Sequence, residues 1–174
     1  MMSNESFYYF KNLKELYEKF FKEKLEKDTF LKETLPILLK AIDKSRKTFI
    51  ETGSFSFCAQ CARSGKKCCQ AGLEWKLRKE EFLINLLLAE KRGQSIEFNL
   101  KNSNDCLFLG EKGCNLILTP LFCRNFFCDK LSNFLGHENL IRIQQTMEDE
   151  AVISFKLSDY INKKYLIPYF NLVR

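Results

Sequence analysis

The chain has 174 residues, a length that suits one compact domain with a real apolar core. Hydrophobic residues make up 45% and charged residues 29%, which argues against both wholesale disorder and a membrane protein. Seven glycines and three prolines supply too few turn residues for an all-β fold, so the composition favours a mainly helical one. The net charge is +6, but basic residues alternate with acidic ones along the helical stretches, and this disfavours nucleic-acid binding.

The N-terminal sequence MMSNESFYYFKNLKELYEKF has no basic leader followed by an apolar run. No stretch approaches the roughly 18 apolar residues of a spanning helix, so we expect no membrane association. These features predict a cytoplasmic protein. A reducing compartment keeps thiols from pairing, which shifts the expected role of cysteines from disulfides toward metal or redox chemistry.

Two amphipathic helices are predicted before the first cysteine, and we expect them to form a hairpin over residues 1–54. Asn12 is expected to cap the first helix, because a glutamate three residues later completes a capping box. Thr34 followed by Pro36 predicts the start of the second helix, which ends near Gly53.

Residues 55–130 are predicted to form a loop-rich cysteine core with little β structure. Within it, the pattern over 77–92 predicts a helix that stops at Gly93. Glu80 and Glu81 fall on the charged face of this helix, so we interpret them as solvated rather than as a catalytic acid–base pair.

Three short features are predicted between and around the later cysteines. Apolar residues alternate over 96–100, which predicts a short strand or an extended segment. The stretch CLFLGEKGC contains a Gly-Glu-Lys-Gly turn and predicts a tight loop or a small hairpin. Thr119, as cap to Pro120, predicts a short helix that carries Cys123 and Cys128 on it or at its end.

Residues 131–174 are predicted to form a helical segment. One helix is expected over 138–147, the stretch AVISF fits either strand or helix, and Ser158 or Asp159 is expected to cap a last helix. The fold class predicted for the single domain of 1–174 is therefore mainly α, with a bundle-like helical scaffold around the cysteine core.

All eight cysteines lie between residues 58 and 128, in the pattern C-x2-C-x6-C-C followed by C-x7-C-x8-C-x4-C. A C-x2-C pair is a good chelate, because the intervening turn lets two thiolates converge on one cation. With six further cysteines close by, the pattern predicts a metal site. The predicted ligands are Cys58, Cys61, Cys68, Cys69, Cys106, Cys114, Cys123 and Cys128.

Two other roles for these cysteines fit the pattern less well. Buried thiols behave as small hydrophobes, but that role gives no reason for pairs at turns beside Gly, Lys and Asp. Disulfides would need export or a redox-sensing role, and no targeting signal in the sequence supports export.

The adjacent residues Cys68 and Cys69 constrain the site. Neighbouring side chains diverge, so both reaching one tetrahedral ion is strained. They more easily serve two metal centres, or a ligand position and its surrounding shell. Eight thiolates suffice for two four-sulfur sites, or for one cluster plus one structural ion.

The residues around the cysteines bear on the kind of metal. Zinc ribbons usually have two C-x2-C knuckles and only one occurs here, so the sequence slightly favours an iron–sulfur cluster over zinc. The apolar residues beside the sulfurs, which suit a cluster, are Leu107, Phe108, Phe122, Phe126 and Phe127. The cations expected to offset the thiolate charge are Arg63, Lys66, Lys67, Lys112 and Arg124.

Two further polar residues near the cysteines have alternative interpretations. Arg124 is expected either to hold a sulfur or a substrate anion, or to form a salt bridge with Asp129 or another acid. His137, the only histidine, is interpreted as a surface or capping residue rather than a ligand, because the thiols already fill eight positions.

From Phe57 to Cys128 the chain resembles the YkgJ-type cysteine-cluster family, described as a zinc- or iron-chelating domain. The resemblance rests on the leading C-x2-C, the adjacent Cys68 and Cys69, the segment CLFLGEKGC and the segment TPLFCRNFFC. The chain departs from the family pattern at Leu107, where proline is common, and at Thr119, where arginine is common. The resemblance implies metal binding by the cysteines.

Two classes of function follow. The first is a metal-binding protein whose iron–sulfur cluster or zinc is structural or carries electrons, with the helical flanks as a scaffold or as a surface for an unidentified protein partner. The alternative is an enzyme that uses the metal centre. Cysteine clusters similar to those of the family occur in flagellin lysine methylases, so the resemblance connects this alternative with protein lysine methylation.

Overall fold

A computed structural model describes residues 2–65, 68–111 and 113–172 of the chain. Helices make up most of these residues, and the only strands among them form one small antiparallel pair. The predicted mainly helical class is therefore confirmed. None of the helices in the described ranges is both long enough and apolar enough to cross a membrane.

Short helical turns of other types join or precede several of the α-helices. A π-helical turn at Tyr17–Phe21 joins α1 to α2, a second at Asn162–Leu166 joins α7 to α8, and a 3-10 turn at Leu73–Lys76 precedes α5. The helices are α1 (Met2–Leu16), α2 (Lys22–Lys27), α3 (Thr29–Glu51), α4 (Ser54–Arg63), α5 (Lys79–Lys91), α6 (Leu121–Arg124), α7 (Asp129–Ile161) and α8 (Ile167–Leu172), and the strands are β1 (Leu109–Gly110) and β2 (Gly113–Cys114).

The helix starts predicted in the N-terminal part are wrong. Asn12 lies inside α1, which begins ten residues earlier in the chain at Met2, so it caps no helix. The next helix begins directly after Asp28, whose carboxylate accepts a hydrogen bond from the backbone N–H of Leu31 at 3.0 Å. Because Asp28 already caps α3, Pro36 falls inside that helix rather than in its first turn. The predicted end is confirmed, since α3 closes at Glu51 before the left-handed Gly53.

Helix α3 runs antiparallel to α7 along most of its length. Its start is bonded to the end of the C-terminal helical run through Asp28 and Lys164, and its end is paired with the opposite part of α7 through Glu51 and Arg142. Between these contacts, a hydrogen bond from Ser45 to Glu150 joins α3 to α7. The two helices thus form the long wall from which the cysteine segments are held.

Helix α5 lies in the centre of the molecule. All its residues from Phe82 to Ala89 are buried, so this stretch of the helix has no polar face exposed to solvent. The interpretation of Glu80 as solvated is wrong, because this residue is only 8% exposed. Glu81 is partly exposed and accepts a hydrogen bond from the backbone N–H of Arg78 at 3.1 Å, which helps to start the helix.

The C-terminal part is more continuous than predicted. Helix α7 contains the predicted 138–147 helix, the AVISF segment and Ser158, which is buried within it rather than at a helix start. The one break inside α7 is at Gly136, where φ is +68°. Glycine takes this left-handed conformation at little cost, so the helix changes direction there.

Asp28 joins the two ends of the helical scaffold. Its carboxylate accepts hydrogen bonds from Tyr160 Oη at 2.9 Å, Lys164 Nζ at 2.7 Å and Tyr165 Oη at 2.5 Å. Burial acts to raise the pKa of this carboxyl group, but the hydrogen bonds from Lys164, Tyr165, Leu31 and Tyr160 outweigh it and hold the pKa well below its usual range. The folded state therefore favours the ionised form of Asp28.

Replacing Asp28 with asparagine is expected to lower the free energy of unfolding at pH 7 by about 1.5–3 kcal/mol, because the hydrogen bonds to a charged acceptor are lost. The amide oxygen still caps α3. Since the folded-state pKa is depressed, the contribution is present above the ordinary aspartate pKa near 3.9 and is lost as the pH falls through the folded value. Urea unfolding across this range measures it. Asp159→Asn, which removes only an exposed pair with Lys163, is the control and should change stability by less than about 1 kcal/mol.

Candidate metal centre

The first two cysteines lie on helix α4. Cys58 and Cys61 are one turn apart, so their side chains share a face of this helix. The helix packs against α7 through the rings of Phe57 and Phe134, which stack with their centroids 4.6 Å apart. This contact fixes the C-x2-C pair beside the start of α7.

Cys128 occupies the position immediately before α7. Its carbonyl accepts the backbone N–H of Ser132 at 2.9 Å, as expected for a helix cap. The Cys128 side chain is partly buried against the small core formed by Phe49, Leu131, Leu135, Ile143 and Met147, and Phe57 packs against the same core. Cys128 therefore lies at the start of a long helix, not at the end of the short helix that also carries Cys123.

Cys69, the second residue of the adjacent cysteine pair, is hydrogen-bonded to the segment CLFLGEKGC. The carbonyl of Cys69 accepts the backbone N–H of Cys106 at 3.1 Å, and Gln70 pairs with Asp105 in an isolated antiparallel bridge. One residue further, the backbone N–H of Ala71 donates to the carbonyl of Asn104 at 2.9 Å. A short antiparallel contact thus holds Cys69 next to Cys106.

The predicted hairpin in CLFLGEKGC is confirmed. Strands β1 and β2 pair so that Leu109 lies opposite Cys114. The backbone N–H of Leu109 also donates to the carbonyl of Cys106 at 3.0 Å. Both cysteines of the segment therefore lie next to Leu109. The region 96–100, in contrast, contains no assigned strand within the described residues and corresponds to the extended-segment alternative.

Cys123 lies on the single turn α6. Its backbone N–H donates to the carbonyl of Pro120 at 2.9 Å, and Pro120 rather than Thr119 is the residue that precedes the helix. Thr119 has a different role, because its side chain acts to lower the pKa of the Cys114 thiol. Thr119 thus lies near the Cys114 sulfur, four residues before Cys123 in the chain.

The thiols lie near enough to one another to interact electrostatically. Burial, followed by the neighbouring thiols of Cys128, Cys68, Cys69 and Cys61, raises the pKa of the Cys58 thiol to about 11. Burial also raises the pKa of Cys68, with further contributions from Cys128 and Cys61. These cysteines therefore occupy one region of the molecule.

The remaining cysteines form a similar neighbourhood. Burial raises the pKa of the Cys123 thiol to about 11, and the thiols of Cys114 and Cys69 add to the shift. Burial raises the pKa of Cys106 to about 12, with smaller contributions from Glu74 and from the same two thiols. In this arrangement the thiols are protonated at neutral pH.

Several groups are placed to stabilise a thiolate at Cys114 or Cys106. Burial raises the pKa of Cys114, while hydrogen bonds from the Leu116 backbone and Thr119 and the charges of Arg46 and Arg124 lower it. The backbone N–H of Phe108 likewise lowers the pKa of Cys106 by bonding to its sulfur. Backbone N–H donors to sulfur and nearby cations are the surroundings that metal-bound thiolates require.

Arg124 forms a salt bridge, as one of its two predicted roles, and its partner is Glu150 rather than Asp129. Both side chains are buried, at 6% and 5% exposure. The guanidinium also donates to Ser45 Oγ at 2.8 Å and lies over the Phe49 ring, with 5.2 Å between Cζ and the ring centroid. Arg124 thus anchors the Cys123 turn to the wall formed by α3 and α7.

The other residues predicted to lie near the sulfurs differ in their exposure to solvent. Leu107 and Phe108 are fully buried, whereas Phe122 and Phe126 are about half exposed, so only the first pair provides the expected apolar surroundings. Arg63 and His137 are exposed. Phe127 is partly buried against the small core. The predicted cations Lys66, Lys67 and Lys112 lie outside the described residues.

Two residues that the sequence reasoning missed support the site. Asn85 is fully buried in α5, donates to the carbonyl of Leu118 and accepts the backbone N–H of the same residue, both at 2.9 Å. Arg46 donates to the carbonyls of Leu116 and Ile117 at 2.8 and 3.0 Å. A polar residue in an otherwise apolar helix was the only available signal for Asn85.

All eight cysteines belong to the described residues, and each is a free thiol rather than half of a disulfide. Within the described part of the chain, no three or more Cys, His, Asp or Glu side chains are close enough together to hold a metal ion. Backbone contacts thus hold the cysteines in one region, near enough for their thiols to interact electrostatically, but the sulfurs do not converge on a single point.

Comparisons of the chain with protein-family models, with curated proteins and with solved structures give no match.

Proposed function

We propose that this protein binds metal through its eight cysteines, as an iron–sulfur cluster, which we favour, or as zinc, in a structural or electron-carrying role. The observation that supports this most directly is that cysteines from separate segments lie in one region, where burial and then neighbouring thiols raise the pKa of Cys58 and of Cys123. Metal binding converts the thiols to thiolates, and the bound cation offsets the repulsion between them. The donor set consists of thiols only, which suits zinc or an iron–sulfur cluster.

The scaffold provides what a thiolate centre needs beyond its ligands. Backbone N–H groups of Phe108 and Leu116 donate to two of the sulfurs, and Arg46 and Arg124 supply positive charge. Metal binding requires the thiols to lose their protons and approach one another. Cys68 lies in a loop that allows such movement, whereas Cys69 is bonded to Cys106 and the pair Cys58 and Cys61 is held on a helix.

The resemblance to the YkgJ-type family is part of the same proposal, as is a cytoplasmic location that keeps the thiols reduced. The family segments coincide with contacts that bear on the site. The segment CLFLGEKGC forms the hairpin, and TPLFCRNFFC contains the turn that Arg124 anchors. At the departure from the family pattern, the Thr119 side chain acts to lower the pKa of the Cys114 thiol and so favours its thiolate form.

No specific observation favours the alternative of a metal-dependent enzyme. One surface cleft lies along the end of α7 beside Phe30 and Tyr160, and another lies along α1 beside Phe7 and Phe98. Neither of these two clefts is lined by a cysteine, so neither offers a substrate a place next to the thiols.

Elemental analysis of protein purified without oxygen tests the proposal. We expect iron with acid-labile sulfide and broad visible absorption that bleaches on reduction or in air, or else zinc in colourless protein that a chelator removes. A chain with all eight cysteines replaced by alanine should hold neither metal, while Lys44→Ala, which removes an exposed ion pair, should load like the wild type. Wild-type protein that stays metal-free after anaerobic incubation with iron and sulfide, and separately with zinc, would contradict the proposal.

A further inference from the structure

We propose that the eight cysteines form two metal centres, one bound by Cys58, Cys61, Cys68 and Cys128 and the other by Cys69, Cys106, Cys114 and Cys123. This inference rests on the proposed metal binding and adds to it the number of centres and the ligands of each. We call the two groups the helix set and the hairpin set. The adjacent residues Cys68 and Cys69 belong to different sets.

The helix set is held together by the packing of α4 on α7. Cys58 and Cys61 share a face of α4, and the stacked rings of Phe57 and Phe134 bring this helix against the beginning of α7. Cys128 stands at that beginning and packs on the same small core as Phe57. Helix packing thus brings Cys58, Cys61 and Cys128 into one region, and Cys68 is the next cysteine after Cys61 in the chain.

The hairpin set is held together by backbone hydrogen bonds. The carbonyl of Cys69 accepts the N–H of Cys106 at 3.1 Å, and the hairpin register brings Cys106 and Cys114 to the two sides of Leu109. The Thr119 side chain acts to lower the pKa of the Cys114 thiol, which places it near that sulfur, and Thr119 lies four residues before Cys123 on the next turn. Each member is therefore connected to the next by a direct contact or by a short segment of chain.

The separation of Cys68 from Cys69 follows from backbone geometry. Side chains of adjacent residues diverge, so the two sulfurs are poorly placed to bind a single tetrahedral ion. The backbone contacts separate the two residues in the same way, because Cys69 alone of the pair is bonded to the Cys106 backbone. Cys68 interacts electrostatically with Cys128 and Cys61, whereas Cys69 interacts first with Cys114 and then with Cys68. Among these interactions, those that cross between the sets involve Cys69.

Zinc alone is a suitable probe, because four-sulfur sites bind it and each ion can be counted. We expect the wild-type chain to bind two zinc ions, and the variants Cys68→Ala and Cys69→Ala to bind one each. Combining Cys61→Ala with Cys68→Ala, both in the helix set, should leave one ion. Combining Cys61→Ala with Cys114→Ala, one from each set, should leave none. Ser103→Ala, an exposed turn residue near Cys106, is the matched control and should retain two ions.

The possible results separate this inference from the proposed function. A wild-type chain that binds no metal contradicts both proposals. A wild-type chain that binds one ion, or single variants at residues 68 and 69 that each lose all metal, leaves metal binding intact and overturns the division into two sets. The division also fails when the two double variants lose the same number of ions.

A measurement on the wild-type chain keeps the test valid if a variant does not fold. Thiols bound to metal resist alkylation, and mass spectrometry identifies which residues are protected. With less zinc than the sites hold, protection should appear for four residues together, either the helix set or the hairpin set. Joint protection of Cys68 and Cys69 before either full set is protected would overturn the division.

Discussion

Replacing Glu150 with alanine is expected to lower the free energy of unfolding by about 3–5 kcal/mol, because it leaves the buried guanidinium of Arg124 without its carboxylate. Both side chains are removed from water, so the remaining charge has no solvent to replace the lost partner. Ser45, which contacts both groups, offers a hydroxyl in place of a charge. Urea unfolding followed by circular dichroism measures the loss.

The neighbouring acidic residue provides a matched control. Asp149 pairs with Lys44 at 3.1 Å on the exposed side of the same helix, so Asp149→Ala should cost less than about 1 kcal/mol. The double replacement Arg124→Met with Glu150→Leu should recover much of the loss, since two apolar side chains leave no unpaired charge. Equal effects of Glu150→Ala and Asp149→Ala would show that the buried pair does not anchor the Cys123 turn.

The features that the sequence predicted correctly are those with a local cause. The stop at Gly93, where φ is +61°, and the hairpin, where Gly113 has a φ of +108°, depend on glycines that adopt conformations other residues avoid. The end of α3 before Gly53 has the same origin. Such signals act within a few residues, so no knowledge of distant parts of the chain was needed.

The predictions that failed depended on partners far along the chain or on competing local signals. The start at Thr34 was plausible, but Asp28 provides a cap earlier and is bonded to side chains more than 130 residues away. Glu80 carries a charge on a helix that the fold buries on all sides, and the period of its apolar residues does not reveal this. The helix predicted over 138–147 is part of the longer helix α7, because the chain resumes the helix after one left-handed residue at Gly136.

For the candidate site, the sequence identified the cysteines but not their grouping. The spacing along the chain treats Cys68 and Cys69 alike, whereas the backbone bond between Cys69 and Cys106 distinguishes them. The salt bridge of Arg124 was predicted as one alternative, but its partner Glu150 lies 26 residues further along the chain. The long helix α7 places Glu150 beside Arg124, which local sequence does not reveal. Grouping and partners are properties of the tertiary structure.

Replacing Phe108 with alanine is expected to lower the free energy of unfolding by about 3–5 kcal/mol, because the ring is 1% exposed and its removal leaves a cavity. Its centroid lies 5.0 Å from that of Phe10 and 6.0 Å from that of Phe82, so the loss affects the contact of the hairpin with both α1 and α5. Thermal unfolding measures the effect. Phe122→Ala, at a half-exposed ring directly before Cys123, is the control and should change stability by less than about 1 kcal/mol.

The same pair of variants connects the core with the proposed hairpin set. Phe108 also donates its backbone N–H to the sulfur of Cys106, so a cavity at this residue should displace one ligand while leaving every cysteine in place. We therefore expect Phe108→Ala to weaken zinc binding by the hairpin set and to leave the helix set, which packs on a separate core, unchanged. Equal weakening of both sets by Phe108→Ala, or a larger effect of Phe122→Ala, would show that the buried aromatic core does not hold the hairpin ligands.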